Sequence, residues 1–143
     1  MIKQVSIYAA NTKGAMKNIT GILKDNDINL IALVTNDSAE YGTIRLLASD
    51  SEKALTALTE AGYMARVTKV LGVRIDDHCG GLDHLLDALL ASNINVNYVY
   101  ISYDRSASSV IAVFDCDSRF EVEEMLKSRG FEVMNDKDVA LNI

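Results

Sequence analysis

Two stretches of the sequence decide the fold: NTKGAMKNITGILKDNDINLIALVT at residues 11–35 and DHCGGLDHLLDALLASNINVNYVYI at residues 77–101. They share identical residues at a constant offset of 66 positions, and most other apolar positions match in kind. The identical pairs are Gly14 with Gly80, Leu23 with Leu89, Ile28 with Ile94 and Asn29 with Asn95. Self-similarity at a fixed period indicates two copies of one structural unit.

The first copy predicts the order strand, helix, strand, strand, helix, strand. VSIYA alternates as a strand does, and apolar residues at helical spacing after Gly14 predict a helix. The runs NLIALVT and GTIRLLA predict a hairpin across a polar turn at residues 36–40. A second helix, capped by Asp50 or Ser51 and ended by Gly62, precedes the final strand MARVTKV.

The second copy predicts the same order, with GVRI as its first strand and VNYVYISY against SVIAVF as its hairpin. Its second helix begins at a capping box of Ser118 and Glu121 and ends at Gly130. Both FEVM and VALNI are suited to the last strand, and the sequence does not choose between them. Gly72 is the only break between the copies, so we predict units at residues 1–70 and 71–143.

The βαββαβ order predicts an α+β fold of two ferredoxin-like units, each an antiparallel sheet with both helices on one face. The strand after the first helix then lies at a sheet edge, and NLIALVT is apolar on both faces. An exposed apolar edge strand invites pairing. We therefore expect this strand to meet its counterpart, NVNYVYI, and the two sheets to join into one of eight strands.

Composition excludes several classes of function. The net charge is −6 and there is no basic run, which argues against binding to nucleic acid. The sequence contains neither a bilayer-spanning stretch nor a secretory signal, so we expect a cytoplasmic protein. Cys79 and Cys116 form no CxxC motif and are expected to be free thiols.

The duplicated pattern of a loop glycine, an amphipathic helix and an Ile-Asn-apolar start to the next strand resembles the ACT domain. The chain as a whole is similar to free-standing proteins with two ACT units and no catalytic domain. The resemblance implies an amino-acid or metabolite site where paired units meet, built from the first strand-to-helix loop of one unit and the edge strand of another. Lys13 and Cys79 occupy the place of the proline that usually precedes the family's loop glycine.

The residue chemistry of the two loops supports a site there. Gly14, Gly80 and Gly81 allow close backbone approach, and unpaired N–H groups at the start of the next helix favour an α-carboxylate. Asn11 and Asp77, three residues before each loop glycine, can receive an α-ammonium, and an edge-strand asparagine can contact the ligand from the other unit. The predicted ligand-binding residues are Asn11, Lys13, Gly14, Ala15, Asn29, Asp77, His78, Gly80, Gly81 and Asn95.

The two loops differ in charge. The first carries Lys13 and Lys17, whereas the second carries Asp76, Asp77 and His78. The second loop therefore favours a ligand with an exposed cation more than the first loop does.

Structural explanations of the same residues stay open. Gly14 and Gly80 are also typical turn residues, and Asn29 and Asn95 are typical of a loop that follows a helix. Their joint recurrence is what favours a ligand site.

Neither metal binding nor catalysis is supported by the sequence. His78, Cys79 and His84 match no zinc spacing, and no cofactor is expected. A Cys–His nucleophile would also need a base within reach and an oxyanion site, which adjacency in sequence does not supply. Tyr98 and Tyr100 share one strand face that we expect to be core, so they do not indicate an RNA-binding sheet.

These observations predict a non-catalytic regulatory protein that forms a homodimer and binds an amino acid or a similar small molecule. The alternative is a regulatory subunit that docks on an amino-acid biosynthetic enzyme through the apolar face containing Ile31 and Leu33. An enzyme is the weakest option, because no acid, base and nucleophile set is duplicated.

Overall fold

The computed structural model describes residues 1–36, 41–104 and 108–140, which contain seven strands and five helices. The predicted turn at residues 36–40 lies outside this part of the chain except for Asn36. The elements in chain order are β1 (Ile2–Ala10), α1 (Ala15–Asp25), β2 (Leu30–Thr35), β3 (Tyr41–Ala48), α2 (Ser51–Glu60), β4 (Met64–Asp76), α3 (Gly81–Ala91), β5 (Val96–Asp104), β6 (Ser109–Cys116), α4 (Arg119–Ser128), β7 (Glu132–Val133) and α5 (Asp136–Ala140).

The chain divides into two compact units, Lys3–Thr68 and residues 69–140 together with Met1–Ile2. The first unit has the strand order β2-β3-β1-β4, and β3 pairs antiparallel with both β1 and β2. Apolar residues of its two helices pack with the sheet in one core. They include Ile19 and Leu23 of α1, Ala54 and Leu58 of α2, and Val5, Ile7 and Leu46 of the strands.

The second unit repeats this plan with the strand order β7-β4-β6-β5. Its own core joins the helices α3 and α4 to β4 and β6. The buried members include Leu85, Leu89, Val122, Leu126, Leu71, Val73, Ala112 and Phe114. Both units therefore confirm the predicted ferredoxin-like α+β architecture.

A single strand, β4, runs through the boundary that the sequence predicted at Gly72. It is 13 residues long, so the described residues contain seven strands rather than eight. Gly72 lacks the positive φ of a turn glycine, and a Cβ there would lie 3.0 Å from Cδ1 of Ile2. Glycine here allows close packing against the side chain of Ile2 and does not interrupt the strand. In the described residues β2 pairs with β3 and β5 pairs with β6, so the prediction that the two copies of the structural unit join through these outer strands is wrong.

The last strand is the one predicted from FEVM. β7 pairs with β4 through Val73 opposite Val133 and Arg74 opposite Glu132. The competing run VALNI begins in α5, and residues 141–143 lie outside the described part of the chain.

The caps of α2 and α4 differ. Asp50 accepts a hydrogen bond from the backbone nitrogen of Lys53 at 2.9 Å, as expected of a cap. Ser118 has φ 54° and its side chain makes no cap hydrogen bond, so the predicted capping box is wrong. A capping side chain reaches the first turn from an extended backbone, and Ser118 is left-handed instead.

The tyrosines of β5 do not face the second core as predicted. The register shifts between Val96 and Tyr98, which is a β-bulge. Val96 packs against the core, whereas Tyr98 and Tyr100 are half-buried outside it. A bulge adds one residue to the strand and so reverses the face of every residue after it.

No helix in the described ranges is both long and apolar enough to cross a bilayer. Cys79 is exposed, while burial raises the pKa of the buried Cys116 thiol to about 11.

Candidate functional site

The first loop joins β1 to α1 by a tight turn at Gly14. Gly14 has φ 88°, a left-handed conformation that glycine adopts without strain, and it stands at the N-cap of α1. The backbone nitrogen of Ala15 donates to the carbonyl of Thr12 at 3.2 Å. No side chain caps this helix, so the first-turn N–H groups after Ala15 have no capping side chain and can serve a ligand.

A cavity of about 320 Å³, here called the first cavity, lies beside this loop. It is lined by Ala9, Ala10, Asn11, Thr12, Ala15, Met16, Thr35, Asn36, Gly42 and Ile44. Of the predicted residues, Asn11 and Ala15 line it, whereas Lys13 and Gly14 shape the turn without lining the cavity. Every lining side chain in the described part of the chain is uncharged.

The second loop joins β4 to α3 and repeats the same geometry. Gly80 has φ 94° at the N-cap of α3, and again no side chain caps the helix. The next residue, Gly81, is buried, and a Cβ there would lie 2.3 Å from the carbonyl oxygen of Asp76. Only glycine therefore allows the helix to begin this close to the end of β4.

A cavity of about 350 Å³, here called the second cavity, lies beside this loop. It is lined by Arg74, Ile75, Asp76, His78, Gly81, His84, Arg129, Gly130, Phe131 and Glu132. His78 and Gly81 are predicted residues that line it, whereas Asp77 and Gly80 do not. Asp77 is exposed beside the cavity.

Arg74 in the second cavity is held by two carboxylates. Its Nε donates to Oδ2 of Asp104 at 2.5 Å and its Nη1 donates to Oε1 of Glu132. The hydrogen bond to Glu132 is the main cause that raises the pKa of Arg74, against the opposing effect of burial. Asp104 also accepts a hydrogen bond from Oγ of Ser109 at 3.0 Å. The end of β4 is thereby tied to β5, β6 and β7.

The other polar side chains of the second cavity make weaker interactions than those between Arg74 and its two carboxylates. Nη1 of Arg129 donates to the carbonyl of Ala88 at 3.3 Å. Nε2 of His78 lies 3.6 Å from Oδ2 of Asp76. The ring of His84 lies 5.3 Å from that of Phe131, between ring centroids.

The edge-strand asparagines lie far from the loops of their own units. β3 places Tyr41 opposite Ala10 beside the first loop, and Ala48 opposite Leu30 beside Asn29. The seven residue steps between these ends span roughly 24 Å. β6 separates Asn95 from the second loop in the same way. A role for either asparagine in a site therefore needs a loop other than its own, which stays a prediction.

Both asparagines make local hydrogen bonds, through the backbone at Asn29 and through the side chain at Asn95. The backbone nitrogen of Asn29 donates to Oγ of Ser49, and the nitrogen of Ser49 donates to the carbonyl of Asn29, both at 2.9 Å. Asn95 donates to Oδ1 of Asn97 at 3.4 Å. Asn97 in turn donates to Asp115, whose hydrogen bond with Arg119 raises the pKa of that arginine.

The alternative metal and docking sites gain no support from the geometry. No group of three or more His, Cys, Asp or Glu side chains in the described ranges could hold a metal ion. Leu33, predicted for the docking face, packs against the first core instead. Ile31 lies half-buried at a β-bulge between Leu30 and Ala32.

Sequence reasoning missed Arg74, Arg129 and Glu132, which give the second cavity most of its charge. They come from two segments distant in sequence, β4 and the α4–β7 connection, which the pairing of β7 with β4 brings together. A charged residue within the apolar run VLGVRI was the available signal for Arg74. The preference for a cationic ligand was predicted from the charges of the second loop alone. Arg74 and Arg129 add positive charge to the second cavity.

Comparison with known proteins finds a family model that matches the chain. The family model described as ACT domain pair matches residues 1–143. Protein BT0572 from Bacteroides thetaiotaomicron is 27% identical with a TM-score of 0.89, over 97% of this chain and 95% of that one. No curated protein sequence matches.

Two further solved structures share the fold at lower identity. The regulatory subunit of aspartate kinase from Thermus thermophilus, in its ligand-free form, is 11% identical with a TM-score of 0.62, over 88% of this chain and 91% of that one. The regulatory subunit of aspartate kinase from Thermus flavus is 15% identical with a TM-score of 0.61, over 98% of this chain and 91% of that one.

Proposed function

Because the chain belongs to the ACT domain pair family, whose modules are regulatory and bind ligands, we propose that it is a non-catalytic sensor of amino acids. The observation that carries the proposal is the duplicated loop. Each unit places a left-handed glycine and an uncapped helix start beside a cavity of 320 to 350 Å³. Cavities of this size suit small metabolites.

The helix starts supply the chemistry that an amino acid needs. Their first-turn N–H groups and the positive end of the helix dipole favour an α-carboxylate. Asn11 in the first cavity and Asp76 in the second provide oxygen acceptors for the α-ammonium. The ten predicted residues remain candidates on this basis, with Asn29 and Asn95 reaching a loop other than their own.

The sensor works by differential affinity. An amino acid that binds one arrangement of the protein more tightly shifts the population toward it, and a partner reads that change. The proposal includes a cytoplasmic location and a homodimer. Both are consistent with a regulatory protein that reports metabolite level.

A thermal-shift screen of the twenty amino acids at millimolar concentration tests the proposal. A ligand that binds only the folded state at 100 times its Kd stabilises the protein by about 2.7 kcal/mol, so the melting temperature should rise. If none of the twenty raises it, the sensor proposal fails.

Matched glycine variants test the location. Gly80→Ala and Gly62→Ala introduce the same strain, since φ is 94° and 93° and a Cβ meets nothing within 4 Å at either position. Both should lose about 1–2 kcal/mol of stability. Only Gly80→Ala should weaken binding at the second loop, because Gly62 ends α2. Equal affinities in calorimetry would remove this loop from the site.

A further inference from the structure

Arg129 is a cation of the second cavity without an anionic partner. In the described ranges no carboxylate lies within 4.0 Å of its guanidinium, which donates only to the neutral carbonyl of Ala88. The side chain is exposed at the junction of α4 and β7. It is therefore positioned to take an anionic group of a ligand in the cavity.

The two carboxylates on Arg74 differ in how firmly they are held. The side chain of Asp104 is fully buried and is also bound by Ser109, whereas that of Glu132 is 60% exposed. Breaking a buried ion pair is costly, but an exposed pair contributes little to stability. Asp104 is thus the permanent counter-ion of Arg74, and Glu132 is the exchangeable one.

We propose that the second cavity binds an acidic amino acid, with its α-carboxylate at the start of α3 and its side-chain carboxylate on Arg129 and in the place of Glu132 on Arg74. This inference rests on the proposed amino-acid sensor function and names the ligand class of one of its two sites. Asp76, next to the start of α3, accepts the α-ammonium. The guanidinium groups match carboxylates in geometry as well as in charge.

The first cavity provides an internal contrast. Its lining side chains in the described ranges are uncharged, so they offer no cationic partner for a second carboxylate. Burying an unpaired carboxylate is unfavourable. The preference for an acidic ligand therefore belongs to the second unit alone.

Isothermal titration calorimetry with two pairs of isosteric ligands tests the proposal. L-aspartate is compared with L-asparagine, and L-glutamate with L-glutamine, because each pair differs mainly in the charge of the side chain. We expect at least one acid to bind about tenfold more tightly than its amide. Amides that bind as tightly as both acids would overturn the proposal.

Charge-neutralising variants assign the contacts. Arg129→Gln should weaken the preferred acid about tenfold and leave its amide unchanged. Glu132→Gln should bind the acid several-fold more tightly, because it removes the competing carboxylate. Glu124→Gln is the control, since Glu124 is similarly exposed at 61% but lies outside the cavity. An unchanged affinity for the acid in either test variant would contradict the assignment.

The outcomes separate this inference from the sensor proposal. If neutral amino acids bind and acidic ones do not, the sensor function stands and the acidic preference is wrong. If no amino acid binds the wild-type protein, both proposals fail. Circular dichroism and thermal unfolding of each variant verify that it folds.

Discussion

At the scale of single residues, glycine is needed at the loop positions for two different physical reasons. Gly14 and Gly80 take a left-handed backbone in which a Cβ would meet nothing within 4 Å. Gly81 lies within α3, and there the obstacle is the carbonyl oxygen of Asp76. The sequence pattern marks all three as loop glycines. The pattern does not tell a glycine that needs a left-handed backbone from a glycine that leaves no room for a Cβ. The lack of room depends on how closely the helix approaches the strand.

Gly81→Ala should destabilise the protein by about 1–3 kcal/mol, because the new methyl group forces the loop away from β4. Urea unfolding measures the change. Gly21→Ala is the control within α1, where a Cβ would lie 3.6 Å from Nζ of Lys17, an ordinary contact. That variant should gain about 0.5–1 kcal/mol from helix propensity. A loss at Gly81 no greater than at Gly21 would contradict the steric account.

At the scale of elements, β5 shows how one inserted residue changes a surface. After the bulge, Val99, Ile101 and Tyr103 lie opposite Phe114, Ala112 and Val110 of β6. These three β5 side chains are 37%, 46% and 83% exposed, although they share a face with core residues. Alternation in the sequence predicts the strand itself. The bulge depends on pairing with β6 and leaves no local sequence signal.

The exposed apolar side of β5 makes a prediction about self-association. If the proposed homodimer pairs along this outer strand, Ile101→Lys should shift the protein toward monomer in sedimentation velocity, since a lysine on an edge strand opposes pairing. Leu90→Lys is the control because Leu90 is 75% exposed but lies on α3. Dimerisation that survives Ile101→Lys, or that is lost equally with Leu90→Lys, would exclude pairing through β5.

At the scale of the whole molecule, duplication has produced two cavities of similar size and different charge. The loops that border them share their glycine turn and uncapped helix start. The rest of each lining comes from different places, since β2 and β3 complete the first cavity and the α4–β7 connection completes the second. One repeated motif therefore borders two cavities whose described linings differ in charge.

Calorimetric stoichiometry should reflect this difference. We expect one acidic amino acid per chain, bound by the second cavity, because the first offers no cationic side chain. A neutral amino acid that binds the first cavity should not compete with it. Two acidic molecules per chain with equal affinity would contradict the assignment of charge to a single site.

The sequence by itself determined the duplication, the βαββαβ order, the ferredoxin-like plan and the position of both loops. These features follow from local periodicity, turn residues and apolar spacing, which are properties of short segments. Tertiary structure decided that β4 continues through Gly72 and that a bulge turns Tyr98 and Tyr100 away from the second core. It also decided that Arg74, Arg129 and Glu132 line one cavity. Those outcomes depend on strand register and close packing between segments distant in sequence, and no single segment carries that information.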